Sequence, residues 1–168
     1  MTISAELQQA IDTLEIQDVY LRELDARCMD GFDPKYADDL ADLTVQQMHL
    51  VRQAQVVEVE RDERLLRVFI RLGVRWVDSK GAGEEDSIRA LIEAEFIAEY
   101  RMTEELEQAA IDEFSLKNAS YHVWPYWREL LSGQCARMHL PRLTLPAVQL
   151  AHNRHQRTEE SQAAEEKS

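Results

Sequence analysis

Leu66, Val68, Ile70, Leu72, Val74 and Trp76 occupy every second position of one run, with Arg67, Arg71 and Arg75 between them. Side chains of a strand alternate between two faces, so this period puts the large apolar groups on one side of the backbone and the guanidinium groups on the other. A second run repeats the pattern, with Ile88, Ala90, Ile92, Ala94, Phe96, Ala98 and Tyr100 set among Arg89, Glu93, Glu95, Glu99 and Arg101. Between them Lys80 to Ser87 carries Gly81, Gly83 and consecutive acids, which is turn chemistry. The two runs therefore predict an antiparallel hairpin whose polar face, read as solvent-facing, sets arginines opposite glutamates. Such cross-strand pairs contribute roughly 0.2–1 kcal/mol each and help fix register, so Arg71 is expected beside Glu93 or Glu95.

The rest of the chain must supply further strands and a cover for the apolar face. Ile16 to Arg27 reads as a first strand with imperfect alternation, and Val45 to Glu60 as a second with a polar centre. Residues 29–39 combine Gly31, Pro34 and four aspartates with Phe32 and Tyr36, the composition of a crossover loop. Ile3, Leu7, Ala10, Ile11 and Leu14 have helical spacing. After the hairpin, Thr103 is expected to cap a helix with the stripe Leu106, Ala110, Ile111 and Phe114. A further helix over about 118–137 carries Val123, Tyr126, Trp127, Leu130 and Leu131, despite Pro125 and Gly133. The expected class is α+β, a four-stranded antiparallel sheet with helices on one face. Its 168 residues suit a single domain over 1–150, followed by a polar tail over 151–168.

Charge narrows the partners. There are 32 acidic against 19 basic residues, a net charge of -13, which repels phosphate backbones and anionic membrane surfaces. Nucleic acid is therefore not expected as a partner, and neither is membrane insertion, because no apolar run reaches the length of a span. Met1 to Leu14 holds Glu6 and Asp12 without a basic group, unlike a secretory leader, and Cys28 and Cys135 have no metal or disulfide spacing. A cytoplasmic, reducing setting is the expectation.

Catalytic patterns are not found: there is no phosphate-binding glycine loop, nucleophile elbow or HExxH. His152 and His155, and Cys135 with His139, have helical ligand spacing but lack a third ligand, so neither a metal nor another cofactor is expected. His49 and His122 lie among apolar residues and read as packing histidines. The cluster Tyr121, Trp124, Tyr126 and Trp127 lacks the basic groove of a nucleic-acid stacking platform and reads as core or subunit-interface packing. An enzyme is not expected.

Three segments carry a resemblance. Ile16-Gln-Asp-Val-Tyr-Leu-Arg-Glu-Leu-Asp25 is similar to the first strand of the SecB family of export chaperones, and Ile92-Glu-Ala-Glu-Phe96 to its fourth. Trp124-Pro125-Tyr126, with Arg128 and Glu129, then Pro141, Leu143 and Leu145, resembles the family's long-helix motif and closing segment. The resemblance implies a dimer of dimers, a homotetramer, that holds unfolded preproteins without nucleotide and passes them to the SecA ATPase. In a divergent branch such a protein protects an antitoxin of a toxin-antitoxin-chaperone module. It also implies a client groove along Phe32, Tyr36, Met48, Leu50, Leu145 and Val148, and an acidic partner face at Glu23, Asp25, Glu93 and Glu95. An alternative keeps the fold as an oligomeric scaffold with a closed groove.

The departures are as specific as the matches. Arg27 replaces an expected acid, Met138 stands where a glycine often ends the long helix, and the residues after Leu150 are polar where the export chaperones have an apolar helix. The N-terminal helix is an addition. These changes shift weight toward a divergent SecB-like protein.

Overall fold

A computed structural model describes residues 3–78 and 87–146. In chain order these form α1 (Ala5–Thr13), β1 (Leu14–Cys28), β2 (Leu43–Glu58), β3 (Arg64–Asp78), β4 (Ile88–Met102), α2 (Gln108–Lys117) and α3 (Ala119–Arg137). The strands make one antiparallel sheet in the order β1-β4-β3-β2, with the predicted hairpin at its centre and β1 and β2 at its edges. The predicted turn over 80–86, Val148 and the tail with His152 and His155 lie outside the described residues.

The even-numbered apolar residues of β3 and β4 face the helices, as their period requires. Leu66, Val68, Ile70, Trp76, Ile92, Ala98 and Tyr100 are all within 1 % of complete burial. Against them α3 lays Val123, Trp124, Trp127, Leu131 and Cys135, and α2 lays Ala110, Ile111 and Phe114. Tyr100 meets Phe114 edge to face at 4.9 Å, and its hydroxyl lies 2.8 Å from His122 Nδ1. His49 Nε2 lies 2.7 Å from Ser120 Oγ, so both histidines are satisfied packing residues.

Proline does not break α3. Pro125 cannot donate to the carbonyl of Tyr121, but both residues are on the exposed side, where water serves that acceptor. The helix ends at Arg137, as expected, with Met138 as its cap, and His139 then takes the left-handed conformation at φ 53°. Leu140 N–H then reaches back to Cys135 O at 3.0 Å, the bond that closes a helix through a left-handed residue.

Thr103 does not cap a helix. Its backbone N–H and hydroxyl both donate to Thr13 O, tying the end of β4 to the end of α1, and α2 begins five residues later at Gln108. Ser4 caps α1 by accepting from Leu7 N–H, and its hydroxyl donates to Glu113 on α2 at 2.6 Å. The added N-terminal helix is thus stitched to α2.

Candidate functional site

The sheet face opposite the helices is where chemistry accumulates. Regular alternation would send successive β1 and β2 side chains to opposite faces, but both edge strands contain an extra residue. On β1, Leu21 opposes Phe96 and Glu23 opposes Glu95, leaving Arg22 as the bulge. On β2, Val51 opposes Ile70 and Gln53 opposes Phe69, leaving Arg52 as the bulge. A bulge re-aims its side chain, and both arginines turn over the open face toward β4. Arg22 Nη1 donates to Glu95 Oε2 at 2.6 Å and Arg52 Nη1 to Glu95 Oε1 at 2.7 Å, so one carboxylate is held by guanidinium groups from both edges of the sheet.

Glu93 is held in the same manner by β3. Arg75 Nε donates to one oxygen at 3.0 Å and Arg71 Nη2 to the other at 3.2 Å, which places Arg71 beside Glu93 as expected. Gly73 makes room for this: a Cβ there would lie 3.0 Å from Glu93 Cγ and 3.1 Å from Met48 Cε. Arg67 donates to Glu99 Oε1 at 3.1 Å and to Tyr20 Oη at 2.7 Å. Arg22 and Arg67 also flank the Phe69 ring, with guanidinium carbons 5.8 and 5.4 Å from its centroid.

This face is therefore not the plain solvent face that the alternation predicts. Glu95 is 1 % and Glu93 8 % exposed. Burial pushes both carboxyls up, and hydrogen bonds with charge attraction from Arg22 and Arg52, or from Arg75 and Arg71, overcome it, so both lie below the ordinary 4.5. Of the four acidic residues expected to present a partner face, Glu93 and Glu95 are covered by arginines. Glu23 and Asp25 are partly exposed, at 3.7 Å from Arg71 and 3.3 Å from Arg27.

The residues expected to line one groove are divided by the sheet. Met48 and Leu50 pair with Gly73 and Arg71 and point to the open face. Phe32 packs on the core from the helix side, and Leu145 is buried there. Tyr36 is 74 % exposed in the crossover loop. Trp124 and Trp127 are core residues, and Trp124 Nε1 donates to Pro146 O at 2.8 Å, fastening the closing segment onto α3. Tyr126 faces outward, and between α3 and the closing segment a cavity of about 330 Å³ is lined by Pro125, Arg128, Arg142 and Leu143. Pro141 starts that segment.

A different apolar surface emerges on β1. With Arg22 and a second bulge at Gln17 discounted, Ile16, Val19, Leu21, Leu24 and Ala26 share the helix-side face. Val19 is buried, but α3 leaves Ile16, Leu21 and Leu24 exposed as a row beside the open edge of the sheet. The imperfect alternation of β1 was its signal, once read as bulges. Among the described residues no three His, Cys, Asp or Glu side chains are grouped to hold a metal, and no helix is long and apolar enough to cross a membrane.

The order β1-β4-β3-β2 with helices on one face, and a closing segment folded back on the long helix, is a SecB-like fold. Among solved structures the chain is similar to the Mycobacterium tuberculosis Rv1957 SecB-like chaperone in complex with a ChAD peptide from the Rv1956 HigA1 antitoxin. The two align with a TM-score of 0.65 at 18 % identity, over 87 % of this chain and 98 % of that one. No family model matches the sequence, and no curated protein matches it.

Proposed function

We propose that this protein is an ATP-independent holdase that binds unfolded or export-competent polypeptides along apolar surface left open by its helices. The observation that carries the reading is the exposed row Ile16, Leu21 and Leu24 beside an unpaired sheet edge, on a SecB-like fold. Burying such a row is worth roughly 25 cal/mol per Å², and an unfolded chain offers matching surface together with backbone groups able to pair with the edge. The protein acts in the cytoplasm as a dimer of dimers, multiplying the apolar rows on one particle and adding avidity.

A second reading narrows the client to one antitoxin. The solved neighbour carries an antitoxin peptide, which favours this reading over general export. The arginine cover on Glu93 and Glu95 also leaves less acidic surface for SecA than the family resemblance implies.

Light scattering of a thermally unfolding client tests both. The protein is expected to suppress aggregation without ATP, and Leu21→Ser with Leu24→Ser to weaken suppression severalfold while the fold persists. Lack of suppression for any unfolded client, together with full protection of a single antitoxin, selects the narrower reading. Failure with both returns the chain to a closed-groove scaffold.

A further inference from the structure

We infer that the open sheet face carries a receptor for carboxylate side chains of an acidic polypeptide segment, formed by Arg22, Arg52 and Arg67 around Phe69. A cavity of about 350 Å³ lies there, lined by these four residues with Gln53, Gln55 and Glu95. It lies on the opposite face of the sheet from the uncovered β1 row and is independent of the chaperone reading.

Charge compensation alone does not account for the pocket. Glu95 is one carboxylate and takes one hydrogen bond from each of two arginines, where a single arginine would neutralise it. Arg67 is neutralised by Glu99. Three guanidinium groups at the pocket are thus bonded to two carboxylates, Glu95 and Glu99, while Glu23 on the same face lies 3.7 Å from Arg71, outside the pocket lining. Arg22 and Arg52 each spend one N–H on Glu95, and among the described residues no other acceptor takes their remaining donors. Those side chains are about half exposed, so the unused donors are open to a ligand.

Geometry selects the class of ligand. A guanidinium presents donors in a planar fork that suits a carboxylate, and Glu95 fixes two such forks from opposite edges so that little side-chain entropy is lost on binding. Phe69, bracketed by Arg22 and Arg67, supplies an apolar floor for a neighbouring side chain of the same segment. Gln53 and Gln55, two positions apart on the edge strand, line the pocket beside it. An acidic polypeptide in extended form satisfies all three elements, and with its carboxylates separated by uncharged residues it meets less repulsion from the acidic remainder of the chain than the continuous phosphates of a nucleic acid.

The test is fluorescence anisotropy of the full chain with a fluorescein-labelled peptide alternating Glu and Leu, beside the same peptide with Gln for Glu. The acidic peptide is expected to bind at least about tenfold more tightly, as charge-assisted bonds of this kind warrant. Arg52→Gln is expected to weaken the acidic peptide about tenfold and leave the amide peptide unchanged. Arg22 still holds Glu95 in that variant, so its unfolding midpoint and its circular dichroism report whether the fold is intact. Equal affinity for the two peptides, an Arg52→Gln variant that folds and binds as well as the parent, or equal competition by inorganic phosphate at the peptide's own concentration overturns the assignment. Loss of holdase activity with acidic-peptide binding intact counts against the chaperone reading alone.

Discussion

Arg52 on β2 reaches over β3 to donate to Glu95 on β4 at 2.7 Å, although the two strands are not neighbours in the sheet. Arg22 makes the equivalent bond from the other edge, so the buried carboxylate is compensated twice. Removing either arginine leaves the other in place and is expected to cost about 1 kcal/mol, the usual worth of one net hydrogen bond. Removing both strands a buried charge, which costs about 3–5 kcal/mol. Urea denaturation of Arg22→Ala, Arg52→Ala and the double variant should therefore show a double-variant loss well beyond the sum of the singles.

Stability should fall in two stages as acid is added. Burial holds His122 below its ordinary 6.5, so the unfolded chain takes up the proton first and stability declines as pH drops beneath that value. Glu93 and Glu95 lie below 4.5, so their contribution is complete above that pH and is lost as pH falls through their folded values. His122→Gln is expected to remove the upper stage and Glu95→Gln to flatten the lower, as read from thermal unfolding across pH 3–7.

His139 occupies a left-handed conformation that costs a non-glycine residue roughly 1–2 kcal/mol. His139→Gly relieves that strain at the end of α3, offset in part by the greater freedom of glycine in the unfolded chain. A net gain of up to about 1 kcal/mol is expected. A denaturation midpoint no higher than the parent's would show that the freedom of glycine in the unfolded chain cancels the relieved strain.

Gly73→Ala sets a methyl 3.0 Å from Glu93 Cγ, and Arg71 and Arg75 prevent that side chain from yielding. A loss of about 1–3 kcal/mol is expected, as for other overpacked sites. Met48→Ala frees only the flexible side of the contact, so calorimetry should find the double variant partly, not fully, recovered.

The central hairpin was legible because the even positions of β3 from Leu66 to Trp76 and of β4 from Ala90 to Tyr100 are all apolar, and the SecB-like architecture followed from that hairpin and the order of the motifs. The edge strands were less legible because Gln17, Arg22 and Arg52 interrupt the period, so residues that share a face are not two apart. That interruption hid the row Ile16, Leu21 and Leu24, whereas the expected groove came from the resemblance and not from the period, and so joined residues from both faces. Thr103 has the chemistry of a cap, but the strand end used its donors on Thr13. The burial of Glu93 and Glu95 had no local signal, since it depends on arginines brought from other strands.

The bulges have a consequence for anything that comes alongside. A strand laid against the outer edge of β1 meets regular backbone only in short rails, Leu14–Ile16, Asp18–Leu21 and Glu23–Cys28, each ended by a residue out of step. Long flat edges invite runaway pairing between chains, and interruptions of this kind blunt them. The register fault that aims Arg22 at Glu95 therefore also works as a brake: any strand laid along this edge can pair over one rail but cannot zip along its whole length.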